Sequence, residues 1–561
     1  MVIRNFALNE VEITDPILKN AFEKEQEYLQ SIEADRLLAG FRATAGLPKK
    51  AEQYPGGWEN SELSGHTLGH YMTALAQVYA STKAEDSKER LEYILEELSA
   101  CQAESGYLFA TGEVIFDKLE EGKLVWMPWY TMHKLISGLL AVYRLAKLPQ
   151  ALRIVKKLGE WVCGRVLKWT EKEQRRVLCI ADGGMSDCLY ELYKEIGDEA
   201  CLEAAAKFEE FPLLEKTAKG EDGLSYKQAN HTITKFLGAV NRYLVSGEKD
   251  RFYLDAAQHF FDIVTKNHVY VTGGMGELEH FRASGKLGEN RTQCNCESCS
   301  TYNMLKLAER LYALTGEKCY MEYYESAFFN AILGSQDPET GMTTFFQPME
   351  SGYFKAFADP FSNFWCCTGT GMESFTKLNC GIYHQTEEEL YVNLYIASKL
   401  RADNFGVLLT QNTSMEQVEE VSFAIEAEKP TRFVLCLRVP EWAGEEITLT
   451  LNGSVPEYAM TGGYMRLDRE WKSGDRVELR FAPEVKLHSL PDKPNAVAAT
   501  YGPFVLAASL GREDMTVAFM NSNVAVPTKK VPVRDRIVLK DKVSFSEWLG
   551  KGKQNFLKRE G

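Results

Sequence analysis

The feature that most restricts what this chain can fold into is a loosely repeated helical hairpin between about residues 17 and 335. The segments "LAQVYAST", "LLAVYRLAK", "LYELYKEIGDEACLEAA", "VNRYLVSGEKDRFYLDAA" and "AERLYALTGEKCYMEYYESA" share one plan. In each, a run of helical period ends near a tyrosine: Tyr79, Tyr143, Tyr193, Tyr243 and Tyr312. In the last three, a turn of the Gly-Asp/Glu type leads into a second amphipathic helix. Glycine suits the left-handed residue that closes a helix, and an acidic residue suits the first turn of the next. Repeats spaced roughly 50 to 70 residues apart hold two helices and a long inner loop, and such units bury their apolar faces only by stacking or closing into a ring. Five clear hairpins and a less regular sixth predict a closed, double-layered helical barrel, with an open solenoid as the alternative. Loops rich in Gly, Trp and His ("YPGGWENSELSGHTLGHY", "LVWMPWYTMHK", "LSYKQANHTITK") recur before the helix that ends in the tyrosine. Gathered at one end of a barrel, they make a pocket.

Beyond residue 385 the period falls to two. "ELYVNLYIASKL", "FGVLLTQN", "VEEVSFAIEA", "RFVLCLRVP", "EITLTLNG" and "RVELRFA" are short β-branched runs divided by Gly, Pro and Asn turns, the pattern of a β-sandwich. The expected organisation is an N-terminal strand (1–16) packing on the sandwich, a helical-barrel domain (17–385), a β-sandwich domain (386–510), and a lysine-rich C-terminal segment (511–561) to which the pattern assigns no structure.

With 561 residues, 45% apolar and 25% charged, the chain has the balance of a multidomain globular protein. A net charge of −15 argues against nucleic acid and anionic membrane as partners, because both recruit clustered positive charge. The opening "MVIRNFALNEVEITDP" lacks the apolar core of a signal peptide, and no window reaches the roughly 18 apolar residues of a membrane span. Thirteen cysteines with no regular framework suit a reducing compartment, so a cytoplasmic location is expected. A small, weakly charged ligand fits this balance, and a homodimer is left open.

The cysteines fall into two informative clusters. "TQCNCESCSTYNMLKLAERL" carries Cys294, Cys296 and Cys299 just before or at a helix start, and "NFWCCTGTGMES" carries the adjacent Cys366 and Cys367. Neighbouring thiols close only a strained ring if oxidised together, so a staple is disfavoured. Inert packing and a redox pair are two readings. Metal binding is the third: two local clusters separated by a long loop are the usual layout of a zinc site, and a helix N-terminus favours thiolate. Spacing alone allows four thiolates (Cys296, Cys299, Cys366, Cys367) or three thiolates with Glu297. Thiolate-rich ligation favours zinc over iron. His66 and His70 lie four apart on one helical face but lack the carboxylate of a zinc-protease pattern, and read as packing or pocket wall.

"GHTLGHYMTALA", "PWYTMHKLISGLL", "GGMGELEHF", "CESCSTYNMLKL", "FWCCTGTGMES" and "LYVNLYIASKL" resemble, in order, motifs of the bacterial β-L-arabinofuranosidases of glycoside hydrolase families 127 and 146. The similarity runs from about residue 10 to 510. The resemblance implies an (α/α)6 barrel followed by a β-sandwich, and a retaining exo-glycosidase whose nucleophile is a zinc-bound cysteine. It further implies Glu297, Cys299, Cys366 and Cys367 as Zn2+ ligands, Cys366 as nucleophile, Glu279 as general acid/base with Glu277 its nearest competitor, and His133 as a sugar contact. On this matching Cys294 and Cys296 are not ligands. Two positions depart from the pattern: Gln228 stands where a histidine is usual, and Phe345 where a tyrosine is usual. Both point at the sugar in the family, so the departures bear on which sugar is held. The expectation is hydrolysis of a terminal β-L-arabinofuranoside, or a related pentofuranoside or sugar acid, from small oligosaccharides. The alternatives are a non-catalytic sugar-binding protein, a zinc-stapled scaffold, and another sugar enzyme on the same barrel such as an epimerase.

Overall fold

A computed structural model describes residues 3–180, 184–507, 515–520 and 524–531. Six helices form its inner ring: α1 (His66–Thr82), α2 (Pro128–Ala141), α3 (Met185–Ile196), α4 (Ala229–Val245), α5 (Ser298–Thr315) and α6 (Cys366–Phe375). Each packs on the next and α6 returns to α1, so the ring closes. Outside it lie more polar helices, among them Glu85–Cys101, Pro149–Val166, Arg251–Asn267 and Lys318–Ala327. The sequence dictates which layer each helix joins. Pro149–Val166 buries Ala151, Ile154, Val155, Leu158 and Val162 on one stripe, as a surface helix does. In α1, by contrast, nearly every residue is buried, and glycine permits its close approach to α2: a Cβ on Gly69 would lie 2.3 Å from the Lys134 carbonyl oxygen. The fold is thus the helical barrel that the hairpin repeat predicts.

Two six-stranded sheets form the sandwich. The first has the order β1 (Arg4–Asn5), β3 (Tyr383–Gln385), β4 (Glu389–Val392), β8 (Thr431–Arg438), β11 (Tyr464–Trp471), β10 (Ala459–Thr461). The second runs β2 (Val11–Ile13), β5 (Ser398–Ala402), β6 (Val407–Ser414), β7 (Gln417–Ala427), β12 (Arg476–Arg480), β9 (Thr448–Leu451). All pairings in the two sheets are antiparallel except β4 with β8. Period-two patterning sets the faces: along β7, Val421, Phe423 and Ile425 point into the core. The N-terminal strands enter both sheets, Arg4 opposite Gln385 and Val11 opposite Leu400.

A third sheet follows: β13 (Lys486–Leu490), β14 (Lys493–Tyr501) and β15 (Phe504–Leu506). Within the lysine-rich segment, β16 (Val517–Met520) and β17 (Val524–Pro527) pair antiparallel, and residues 511–514, 521–523 and 532–561 lie outside the described residues. No helix among the described residues is long and apolar enough to cross a membrane.

Candidate active site and metal centre

The heads of the inner helices converge at one end of the barrel. The rings of His66 (α1) and Tyr130 (α2) are 5.8 Å apart, Tyr130 and His231 (α4) 6.2 Å, and Cys299 (α5) meets Cys367 (α6) at 3.3 Å between sulfurs. Each head leaves backbone N–H groups unpaired and carries partial positive charge, so the convergence favours anions. Glu59 meets part of that demand at α1: its buried carboxylate accepts from Gly65 N at 2.9 Å and Thr67 N at 3.0 Å.

At this end Glu297, Cys299, Cys366 and Cys367 each offer one ligand atom within 4.8 Å of the others, and all four are buried. Glu297 caps α5, Cys299 lies in its first turn, and Cys366 and Cys367 open α6. Cys366 Sγ lies 3.4 Å from Glu297 Oε1 and 3.8 Å from Cys367 Sγ. Ser300 Oγ donates to the second Glu297 oxygen at 3.0 Å and so orients the carboxylate. Burial pushes Glu297, Cys299 and Cys366 well above their ordinary pKa values. Burial opposes the Cys367 thiolate as well, yet hydrogen bonds from Cys299, Cys366 and Ser298 hold it well below the usual thiol range. Four acidic donors in a dry site cannot all ionise unless positive charge joins them. A set of three soft sulfurs and one carboxylate oxygen matches a tetrahedral zinc-type ion. Cys296 is turned away at φ +51° and packs against Gly274, where an added Cβ would meet the Cys296 Cβ at 2.7 Å. Of the two ligand sets that spacing allows, the structure assembles the one containing Glu297.

Glu279 reaches the centre from a tight turn. Leu278 and Glu279 are both left-handed, at φ +47° and +67°, a costly pair for residues with a Cβ. The turn is pinned by Leu278 N to the Cys294 carbonyl at 2.9 Å and Ala229 N to the Glu279 carbonyl at 2.7 Å. Gln228, the cap of α4, donates from Nε2 to Glu279 Oε2 at 2.7 Å. Burial raises the Glu279 pKa, the Gln228 bond lowers it, and the charge on Cys367 raises it; Glu297 in turn feels Glu279. Glu277 is spent differently, in an ion pair with Arg282 and a 3.3 Å bond from Thr292.

Phe345 is fully buried, edge-on to Trp58 (6.1 Å) and Trp365 (5.7 Å), and its carbonyl lies 3.8 Å from Cys367 Sγ. His133 lies one turn deeper on α2, against Gly184 at the head of α3, and burial keeps it neutral. His66 bonds the Phe364 carbonyl at 3.1 Å, and His70 bonds Glu373 at 2.6 Å. Sequence reasoning passed over Trp58, Trp126, Tyr130 and His231. Among the described residues the buried Tyr130 hydroxyl and Trp58 Nε1 have no hydrogen-bond partner, and Tyr130 sits in the field of Cys366, Cys299, Cys367 and Glu297. Only the richness of their loops in Trp and His signalled them.

The family model described as β-L-arabinofuranosidase, GH127 catalytic domain, matches residues 10–380, and the GH127 middle domain matches residues 389–482. Among solved structures, a GH127 β-arabinofuranosidase superposes with a TM-score of 0.74 at 18% identity, over 90% of this chain and 85% of that one. A GH127 β-L-arabinofuranosidase from Geobacillus stearothermophilus T6 gives 0.71 at 19% identity, over 91% and 89%. At such identities the structural likeness is one of fold. No curated protein sequence matches the chain significantly.

Proposed function

Because the chain belongs to glycoside hydrolase family GH127, the β-L-arabinofuranosidases, we propose that it is a retaining exo-glycosidase releasing terminal β-L-arabinofuranose, or a closely related pentofuranose, from small oligosaccharides. The observation that supports this reading is a buried Cys3Glu cluster and the carboxyl of Glu279, whose pKa burial raises, lying within one another's field.

In this reading Glu297, Cys299, Cys366 and Cys367 hold a zinc ion. When bound, the ion supplies the positive charge that keeps buried thiols ionised at neutral pH. Cys366 Sγ then attacks the anomeric carbon as the glycosidic bond breaks, and Glu279 gives its proton to the departing oxygen. In the second half, Glu279 takes a proton from water, the water oxygen bonds to the anomeric carbon, and the carbon–sulfur bond breaks. Two inversions give net retention. Tyr130 OH and Trp58 Nε1 offer donors to the sugar, and the neutral His133 forms part of the pocket floor.

Gln228 and Phe345 favour a departure in the sugar. Gln228 spends its amide on Glu279. Phe345 has no hydroxyl to offer, so a site built around it discriminates less sharply for the sugar hydroxyl a tyrosine would hold.

The test is release of nitrophenol from p-nitrophenyl β-L-arabinofuranoside by the wild type and Cys366→Ser, with metal content measured on both. Turnover by the wild type and none by the variant is the expected result. A folded, zinc-loaded wild type inactive on this and on related pentofuranosides would overturn the reading.

A further inference from the structure

Beyond residue 507 the chain returns to the barrel. In the strand pair β16–β17, Ala518 stands opposite Val526, Phe519 opposite Ala525 and Met520 opposite Val524. Period two therefore puts Ala518, Met520, Val524 and Val526 on one face and Val517, Phe519 and Ala525 on the other. The two faces meet different surroundings. On the first, Met520 Sδ is 3.8 Å from Cys294 Sγ, and Val524 and Val526, each 5% exposed, are buried in the apolar cluster that contains Cys299, Cys366, Cys367, Phe345 and Tyr130. On the second, Val517 and Phe519 are exposed and, with Ala525, which is 7% exposed and reaches the same cluster, line an open cleft of about 690 Å³ facing Tyr28 and Phe361. The far end is tied down by Val531 N on the Gly352 carbonyl at 2.8 Å, and by Lys530, which pairs with Glu350 and lies 5.4 Å over Tyr353.

A lone pair of strands is marginal in water. Its position is therefore set by the apolar surface it covers, and that surface is the surround of the metal centre. We propose that the strand pair β16–β17 is a wall of the substrate pocket, in which Met520, Val524 and Val526 shut water out of the apolar cluster that surrounds Cys366 and limit entry to a small terminal sugar. The consequence for substrate rests on the reading of Cys366 as the nucleophile. The covering of Cys294 does not.

The test compares the zinc-loaded wild type with a chain ending at residue 507 and with full-length Val526→Asp, whose buried carboxylate would lift β17. Alkylation of Cys294 by iodoacetamide is followed by peptide mass mapping, with the exposed Cys179 and Cys319 as internal references. Losing a covering element is expected to speed Cys294 labelling by about tenfold or more. The KM for p-nitrophenyl β-L-arabinofuranoside is expected to rise about tenfold at equal zinc content, the scale of a few lost apolar contacts. Should the shortened chain fail to fold, Val526→Asp decides alone. Labelling as slow as in the wild type overturns the proposal, and so does fast labelling with an unchanged KM. A wild type that does not hydrolyse the glycoside sinks the functional reading instead, while Cys294 labelling still reports on the wall.

Discussion

Opposed influences act on Glu279: burial raises its pKa, the Gln228 hydrogen bond, which favours the carboxylate, lowers it, and the charge on Cys367 raises it. Gln228→Leu keeps the volume and deletes the donor. With the lowering influence gone, Glu279, in its proposed role as general acid, keeps its proton to higher pH. The alkaline limb of the kcat/KM profile should therefore move upward, and a limb that stays put would mean that Gln228 does not touch the acid in solution. Glu279→Gln should lower kcat by roughly 10²- to 10⁴-fold on poor leaving groups, with zinc content unchanged. The centre was legible at this scale because "ESC" and "WCC" are local words whose residue types state their chemistry. Tyr130 and Trp58 were not, since the two lie more than seventy residues apart in sequence with no spacing rule between them, and come near each other only through His66, 5.7 Å from Trp58 and 5.8 Å from Tyr130 between ring centres. Nor could spacing choose between Cys296 and Glu297; in the structure Glu297 joins the cluster, while Cys296, with left-handed backbone, packs on Gly274 outside it.

At the scale of elements, the repeat in the sequence encodes the layering but not the closeness of approach. Gly69 and Gly138 let α1 and α2 pack backbone against backbone, with an added Cβ on Gly138 only 2.5 Å from the Gly69 carbonyl oxygen. Gly69→Ala should destabilise the protein by about 1–3 kcal/mol through overpacking, seen as a lower Tm. The outer helix Pro16–Ser31 offers a pH test. Its Glu25 is fully buried, with one oxygen 3.4 Å from Gln336 Nε2, and burial lifts its pKa from 4.5 to about 8. A carboxyl raised in the folded state contributes stability that is complete below about 4.5 and is lost as pH climbs through about 8. The wild-type Tm should thus fall over that window more steeply than that of Glu25→Gln, which is neutral throughout; parallel curves would refute the assignment. The sandwich was readable from period two alone. The strand pair β16–β17 was not, because its charged flank hides four buried residues, Val524–Pro527.

For the whole molecule, the question is what makes barrel and sandwich one body. Arg438 at the end of β8 is fully buried and reaches into the barrel, pairing with Glu322 at 2.9 Å and Glu325 at 2.5 Å on the outer helix Lys318–Ala327. Its Nε donates to the Asn393 carbonyl at 2.6 Å, and Trp442 Nε1 donates to Glu325 at 2.7 Å. Beside this pair the hydroxyl of Tyr464 on β11 donates to that of Tyr312, the tyrosine that closes the fifth sequence repeat, at 3.0 Å. The same repeated residue that marks a helix end thereby serves as a docking point. Removing one partner of a buried ionic group leaves the other charge stranded, which costs about 3–5 kcal/mol. Arg438→Met strands two carboxylates at the junction and nowhere else. Calorimetry should then show one melting event for the wild type and two for the variant, with the sandwich transition falling first, and Glu325→Gln added to Arg438→Met should recover part of the loss. If the variant melts in one step at the wild-type temperature, the two domains are joined by their apolar contact and the covalent crossings, and the ion pair is incidental.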